Sequence, residues 1–525
     1  MYIFEAERGD SMMTGKKVSR GIVIIAFSIL LIFMTGCNNS KVETGPEIVV
    51  PEKTTTVTLD KAESTKTCRA EQYDMDMKLD VKNKLLSGQV AMRLTNETRD
   101  TLDELCIRTD ATDGMAITNL RIIETSEHPE IKSKSKDSAV YLDISSTQLK
   151  PGETITLQFD FITEIPKTNN RFGYAINGDD EIYQLTFCYP RIAMYENGAW
   201  DESPYITDGA ENNYVTVSDY NVDFEAPENL MIIASGNEKT EGNLTKITGK
   251  NMRQLAIFAG TNIKKDSQTV NDVKINNYYF DHEGNKKYND MALEAAKDSV
   301  NLFSTLIGEY PYEELDIVHG FYSSAMEYSG VILMGTPDVE DRTALDEYAA
   351  FTNLSSGIAH ETAHQWFYGV VGNDPYNEPW MDETFAEYCE DMLYQQSKLP
   401  GIAAAIKHDQ KFGGSDTWGT MSDKEFNRWT DDMIEQMTGN SYIINKPYNE
   451  YDAENQKYSQ YVYTGGSYFL YQLRKTMGDG VFFPMLQEYY KAYYFNECNT
   501  EEFVDIILEF DDSEEVRNII NKYIQ

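Results

Sequence analysis

The stretch HETAHQWFYGVVGNDPYNEPWMDETFAEY, residues 360–388, constrains the fold more than any other part of the chain. His360 and His364, two of only six histidines, stand four residues apart, and Glu361 follows the first directly. On a helix, positions i and i+4 share a face one turn apart, so the two imidazoles converge on one point. Imidazole nitrogens are good ligands for zinc, which takes about four donors in a tetrahedron. A catalytic zinc keeps three protein ligands and one open position, so the third must come from another element. Glu383 is the candidate. The reading is a long histidine-bearing helix closed by Gly372, a turn at NDPYNEP, and a second helix opening near Met381. A helix, a turn and a returning helix bring Glu383 against the histidine pair. Glu361 flanks the metal without binding it, where it can take a proton from a metal-bound water. Glu387, one turn beyond Glu383, either accepts a hydrogen bond from a ligand histidine's second nitrogen or is an exposed helix carboxylate.

The rest of the chain supplies two textures. At 525 residues it exceeds one typical domain. From about residue 70 to 270 polar and apolar residues alternate between turn residues, as in YDMDMKLDVKNKLLSGQVAMRLTNET, TITLQFDFITEI and MRQLAIFAG. That is the pattern of antiparallel strands, and it predicts a sandwich-like β domain. Near residue 280 the pattern becomes helical, beginning with NKKYNDMALEAAKDSVNLFSTLIGEY and broken by one strand-like stretch at 315–334. The expected organisation is α+β and multidomain: a signal peptide at 1–36, a tether at 37–60, a β domain at 61–280 and a mainly helical domain at 281–525.

Lys16, Lys17 and Arg20 precede the apolar run GIVIIAFSILLIFMT, residues 21–35. A permanent spanning helix needs roughly 20 apolar residues, so this run reads as a secretory signal. MTGC resembles a bacterial lipobox, which makes Cys37 the expected lipid attachment; the alternative is an uncleaved signal anchor. Both place the body of the protein outside the cytoplasmic membrane, attached to it. The charge of −40, from 86 acidic and 46 basic residues, argues against a nucleic-acid partner and reads as solubility. Cys68, Cys106, Cys188, Cys389 and Cys498 are scattered without a CxxC pair, so neither a disulfide framework nor a cysteine zinc module is expected.

These residues resemble the M1 family of zinc aminopeptidases, the gluzincins. HExxH, eighteen further residues and Glu383 inside WMDETFAEY match the family's HExxH-x18-E and the W-x-x-E-x-F-A-x-Y around it. SSAMEYSG, residues 323–330, resembles the G-x-M-E-N exopeptidase motif, and YTGGSYFLYQLRKTMG from Tyr463 resembles the Y-x-K-G segment. The resemblance implies one Zn2+ per chain on His360, His364 and Glu383, with Glu361 as general base and Tyr463 stabilising the oxyanion. It implies that Glu327 binds the substrate's α-ammonium, with Ala325 and Met326 on the substrate-binding strand beside the small Ser323 and Ser324. It further implies peptide substrates with a free N-terminus, a saddle-like β domain and a thermolysin-like catalytic domain. This sequence departs from the motifs at three positions: Ser324 replaces the first Gly, Tyr328 the Asn, and Gly465 the Lys. Tyr461 is the alternative to Tyr463. The rival readings are an endopeptidase on the same zinc core, a non-catalytic surface peptide-binding protein, and a lipid-epoxide hydrolase.

Overall fold

A computed structural model describes residues 48, 50–63, 65–109, 114–124, 131–136, 138–206, 214–282, 286–322, 324–335, 344–395, 442–451 and 457–525. The signal segment, Cys37 and Ser323 lie outside these residues. The first half is built on a seven-stranded sheet ordered Asn237–Glu241, Leu244–Met252, Ser218–Glu225, Cys68–Asp80, Leu85–Asn96, Thr154–Glu164, Ala116–Ile122. Period-two alternation makes this sheet. In Cys68–Asp80, Tyr73, Met75, Met77 and Leu79 are buried, while Asp74, Asp76 and Lys78 face outward. A register shift between Ala70 and Gln72 inserts one residue, which is why buried positions change parity from Cys68 and Ala70 to Tyr73 and Met75. The sheet is not purely antiparallel: Cys68–Asp80 pairs parallel with Ser218–Glu225. Smaller sheets complete the β-rich half, and one of them orders Met231–Ala234, Ala256–Gly260, Asp180–Thr186 and Phe172–Asn177.

A five-stranded sheet supports the second half, ordered Ile263–Val270, Val273–Phe280, Glu314–Gly320, Val331–Gly335, Ala325–Tyr328. Its first two strands lie upstream of residue 280. Val273–Phe280 and Glu314–Gly320 are parallel, and helix α1 (Lys286–Leu306) makes the crossover that parallel neighbours need. Helices α2 (Ala344–Ala363), α3 (Trp380–Gln395), α4 (Gly466–Met477), α5 (Asp479–Ala492), α6 (Thr500–Phe510) and α7 (Glu514–Tyr523) follow, with a π-helical turn, Ser459–Gly465, leading into α4. One core joins α1 to the later helices, with Phe303, Trp366, Trp380, Phe385, Phe469, Tyr489 and Phe503 at its centre. Another joins the halves, packing Ile182, Ile233 and Phe258 against Phe280, Val318 and Leu333. The five cysteines from Cys68 onward are buried thiols, and no disulfide occurs among the described residues.

One sequence expectation needs correction. The long helix does not run to Gly372, because α2 ends at Ala363. Three-residue backbone bonds, Gln365 N to Thr362 O and Trp366 N to Ala363 O, tighten the chain there, and Tyr368 turns it with φ 103°. Val371–Gly372 is instead a short strand, parallel to Asn496–Glu497. Gly372 is small for a different reason than helix termination: a Cβ there would lie 2.3 Å from the Arg253 guanidinium carbon.

Arg253 comes from the β-rich half and ends inside the helical one. Its side chain is 1% exposed and pairs with Glu497 at 2.7 Å. It also donates to the carbonyls of Tyr368, Val370 (3.1 Å) and Asn496 (3.3 Å). A buried ion pair is tolerated only when further hydrogen bonds satisfy it, and here backbone carbonyls do so.

A second joint carries unbalanced charge. One carboxylate oxygen each from Glu238, Glu314 and Asp316 lies within 4.8 Å of the others. Asp316 is buried; its Oδ1 accepts from Asn276 at 2.7 Å, and its Oδ2 has no hydrogen-bond partner among the described residues. Lys274 donates to Glu314 at 3.2 Å. Burial and then the Glu314 charge push Glu238 from 4.5 to about 7; burial, Glu314 and Glu238 push Asp316 well above the carboxylate range. A carboxyl raised in the folded state binds its proton more tightly folded than unfolded. Its stabilisation is therefore lost as pH climbs from the unfolded value toward the folded one. Asp316→Asn keeps an uncharged group of the same shape. It should flatten the fall of Tm as pH rises above the ordinary aspartate value of 3.8, and raise Tm at higher pH. Equal Tm–pH slopes in mutant and parent would mean that Asp316 is ionised throughout.

Candidate metal centre

The three expected ligands meet. His360 lies near the end of α2, and His364, still bonded through its N–H to the His360 carbonyl, lies just past it. Glu383 enters from the first turn of α3. Nε2 of His360 is 3.1 Å from Glu383 Oε2 and 3.2 Å from His364 Nε2, and His364 Nε2 is 3.5 Å from the same Glu383 oxygen. Metal–ligand distances of about 2.0–2.1 Å give a tetrahedron an edge of roughly 3.3 Å, so these three atoms form one face of a zinc tetrahedron. His364 Nδ1 donates to Phe367 O at 3.2 Å, which leaves Nε2 free to ligate. His360 Nδ1 faces Glu387 at 3.6 Å and Glu390 at 3.7 Å.

The electrostatics agree. Burial would raise Glu383, yet hydrogen bonds and charge from His360 and His364 hold it far below the carboxylate range. Burial would lower both imidazoles, but Glu327 and Glu383 lift His364 to about 9, and Glu383 and Glu387 lift His360 well above its usual value.

Two carboxylates complete the centre. Glu361 and Glu327 are buried, and one oxygen of each has no partner among the described residues. Their ligand atoms and a His364 nitrogen lie within 4.8 Å of one another. Burial and then Glu327 push Glu361 to about 8, and Glu327 is raised by burial and Glu383 against the pull of His364. Glu327 belongs to Ala325–Tyr328, an edge strand of the five-stranded sheet. Ala325 packs against the helical core. Met326, one residue along, is turned the other way: its sulfur accepts from Arg171 at 3.0 Å, away from the metal ligands. Tyr463 stacks on His360 with ring centroids 5.7 Å apart, whereas Tyr461 stacks on Tyr442 at 4.5 Å. Of these two, Tyr463 is the tyrosine that touches an expected metal ligand.

Residues 291–523 match the peptidase family M1 domain. Aminopeptidase 2, mitochondrial, of Saccharomyces cerevisiae is 22% identical over 249 residues, 45% of this chain and 23% of the yeast protein. Aminopeptidase 2 of Candida albicans is 23% identical over 312 residues, 56% of this chain and 31% of the relative. The chain therefore spans less than a third of these relatives' length. An M1 zinc metallopeptidase from Deinococcus radiodurans shares the fold, with a TM-score of 0.57 at 15% identity, over 88% of this chain and 94% of that one.

Three residues at this site escaped sequence reasoning. Glu390 shares His360 Nδ1 with Glu387; it lies seven residues after Glu383, two turns along one face of α3, which was a signal available to find it. Tyr458 stands edge-on to Tyr463 at 5.8 Å, with its buried hydroxyl pushed far up by burial and then by the Glu383 and Asp382 charges. Gln365 clamps the strand that carries Glu327. If Tyr463 has the oxyanion role that the resemblance implies, removing its hydroxyl should lower kcat by about 10²–10³, the usual cost of one such donor. The expected result is that Tyr463→Phe loses that much under steady-state kinetics while Tyr461→Phe stays close to the parent. The reverse order would return the role to Tyr461.

Proposed function

We propose that this chain is a zinc-dependent aminopeptidase that removes N-terminal residues from peptides at the outer side of a bacterial cytoplasmic membrane. The observation that carries the reading is Glu327, a buried carboxylate with one oxygen unpartnered among the described residues, beside the expected metal ligands and Glu361. An unpartnered buried charge is costly, and a substrate ammonium would satisfy it. The relatives' names, aminopeptidases all, support the same reading. We read the β-rich half as the saddle domain and the helical half as thermolysin-like.

His360, His364 and Glu383 would hold the zinc. When bound it supplies Lewis acidity and lowers the pKa of an attacking water toward ~7. Glu361 takes that water's proton and passes it to the leaving amine. Tyr463 donates to the oxygen on which negative charge develops. Glu327 holds the α-ammonium, and Ala325–Tyr328, at the edge of its sheet, is the strand along which substrate backbone would lie. The chain's own residues thus fix one end of the substrate and move one proton. Cys37 or the uncleaved signal would provide the membrane attachment; no helix among the described residues is long and apolar enough to cross a membrane.

The test is a panel of aminoacyl fluorogenic substrates, free and N-acetylated, given to soluble protein that begins after Cys37. Cleavage confined to free amines supports the aminopeptidase. Equal cleavage of both series favours the endopeptidase and removes Glu327 from its anchoring role.

A further inference from the structure

Gln365 directly follows the ligand His364 and is 1% exposed. One turn of backbone occupies both ends of its amide: Oε1 accepts from Gly330 N at 2.8 Å, and Nε2 donates to Tyr328 O at 3.1 Å. The same Nε2 reaches Glu361 O at 3.5 Å. Tyr328 and Gly330 bracket the turn that joins the Glu327 strand to Val331–Gly335, where Gly330 adopts φ +74°. Buried Gln254 works from the other side, donating to Glu327 O at 3.4 Å and accepting from Tyr368 O–H at 3.0 Å. The backbone of Glu327 and of the residue after it is therefore tied to the segment that carries His364.

We infer that Gln365 is a positioning residue that fixes the Glu327 carboxylate relative to the metal ligands, and so sets the one-residue register of cleavage. This rests on the aminopeptidase reading. An exopeptidase measures its substrate between the ammonium anchor and the reacting carbonyl. One further residue lengthens that span by about 3.3–3.6 Å. A loose anchor strand lets Glu327 drift within that interval, so it recognises the ammonium less well. A primary amide suits the task because it presents one acceptor and one donor in a fixed plane. Methionine keeps the length and offers neither bond; glutamate keeps the acceptor and sets a carboxylate against the Tyr328 carbonyl.

The experiment compares the parent, Gln365→Met, Glu327→Ala and the double variant on free and N-acetylated aminoacyl substrates, with zinc content and Tm recorded. The expected result for Gln365→Met is a full zinc complement and a rise in KM for free amines of about tenfold or more. kcat should change much less, and the preference for free over acetylated substrate should collapse. In the double variant, Gln365→Met should add little to Glu327→Ala, because both remove one interaction. An unchanged preference, or additive losses, would overturn the inference, as would a loss carried by kcat alone. If Gln365→Met loses zinc or fold, Gln365→Glu is scored by the same criteria. A parent enzyme that cleaves both series equally would instead overturn the aminopeptidase reading.

Discussion

Glu361→Gln should abolish hydrolysis while leaving the metal in place. The substitution exchanges a carboxylate for an amide of the same shape, next to a ligand but outside the ligand set. An amide cannot accept the water's proton, so the general-base contribution of about 10²–10⁴ in kcat disappears. The parent carboxylate is well placed for the task. Burial and then Glu327 raise it above the ordinary carboxylate range, which makes it a stronger proton acceptor than a solvated carboxylate. Steady-state kinetics with metal analysis of the same sample checks this. A variant within tenfold of the parent, with zinc bound, would take the base role from Glu361.

Removing the metal should have an effect at least as large. Chelation should abolish activity and added Zn2+ should restore it, while His364→Ala should prevent restoration. The ligand set also gives a pH signature. His364 is lifted to about 9 and His360 lies well above its usual range, so in the metal-free protein both carry protons near neutrality. Cation binding must expel them. Zinc affinity should weaken by up to about tenfold per pH unit for each proton released as pH falls from 9 toward 6. Competition with a chelating dye across that range measures the slope. A flat profile would mean that the imidazoles are already neutral in the metal-free protein.

The site was legible where its logic is local. His360 and His364 are one helical turn apart, and a turn plus a short helix brings Glu383 back; these relations are written in spacing. Tyr463 was legible only through a motif, and the stacking on His360 is what separates it from Tyr461. Gln365 and Tyr458 were not legible, because their partners lie far away in sequence: Tyr328 and Gly330 for one, Asp382 and Glu383 for the other. The fold divides in the same way. Alternation exposed the strand Cys68–Asp80, but not its parallel partner Ser218–Glu225, since strand pairing across a long separation leaves no periodic trace. Gly372 looked like a helix stop because glycine commonly ends helices; the actual demand, space for the Arg253 guanidinium, comes from the other half of the chain.

The five-stranded sheet makes the two halves poor modules. A fragment starting at residue 281 would lack Ile263–Val270 and Val273–Phe280, so Glu314–Gly320 would lose one of its two parallel neighbours and keep only Val331–Gly335. The same cut would strip Glu497 of Arg253, the cation it pairs with in the interior. The candidate metal centre, whose expected ligands all lie in the later residues, is thus not separable from the earlier ones. A graft or truncation that respects the chain's organisation should keep the hairpin from Ile263 and the loop carrying Arg253 with the helices they complete.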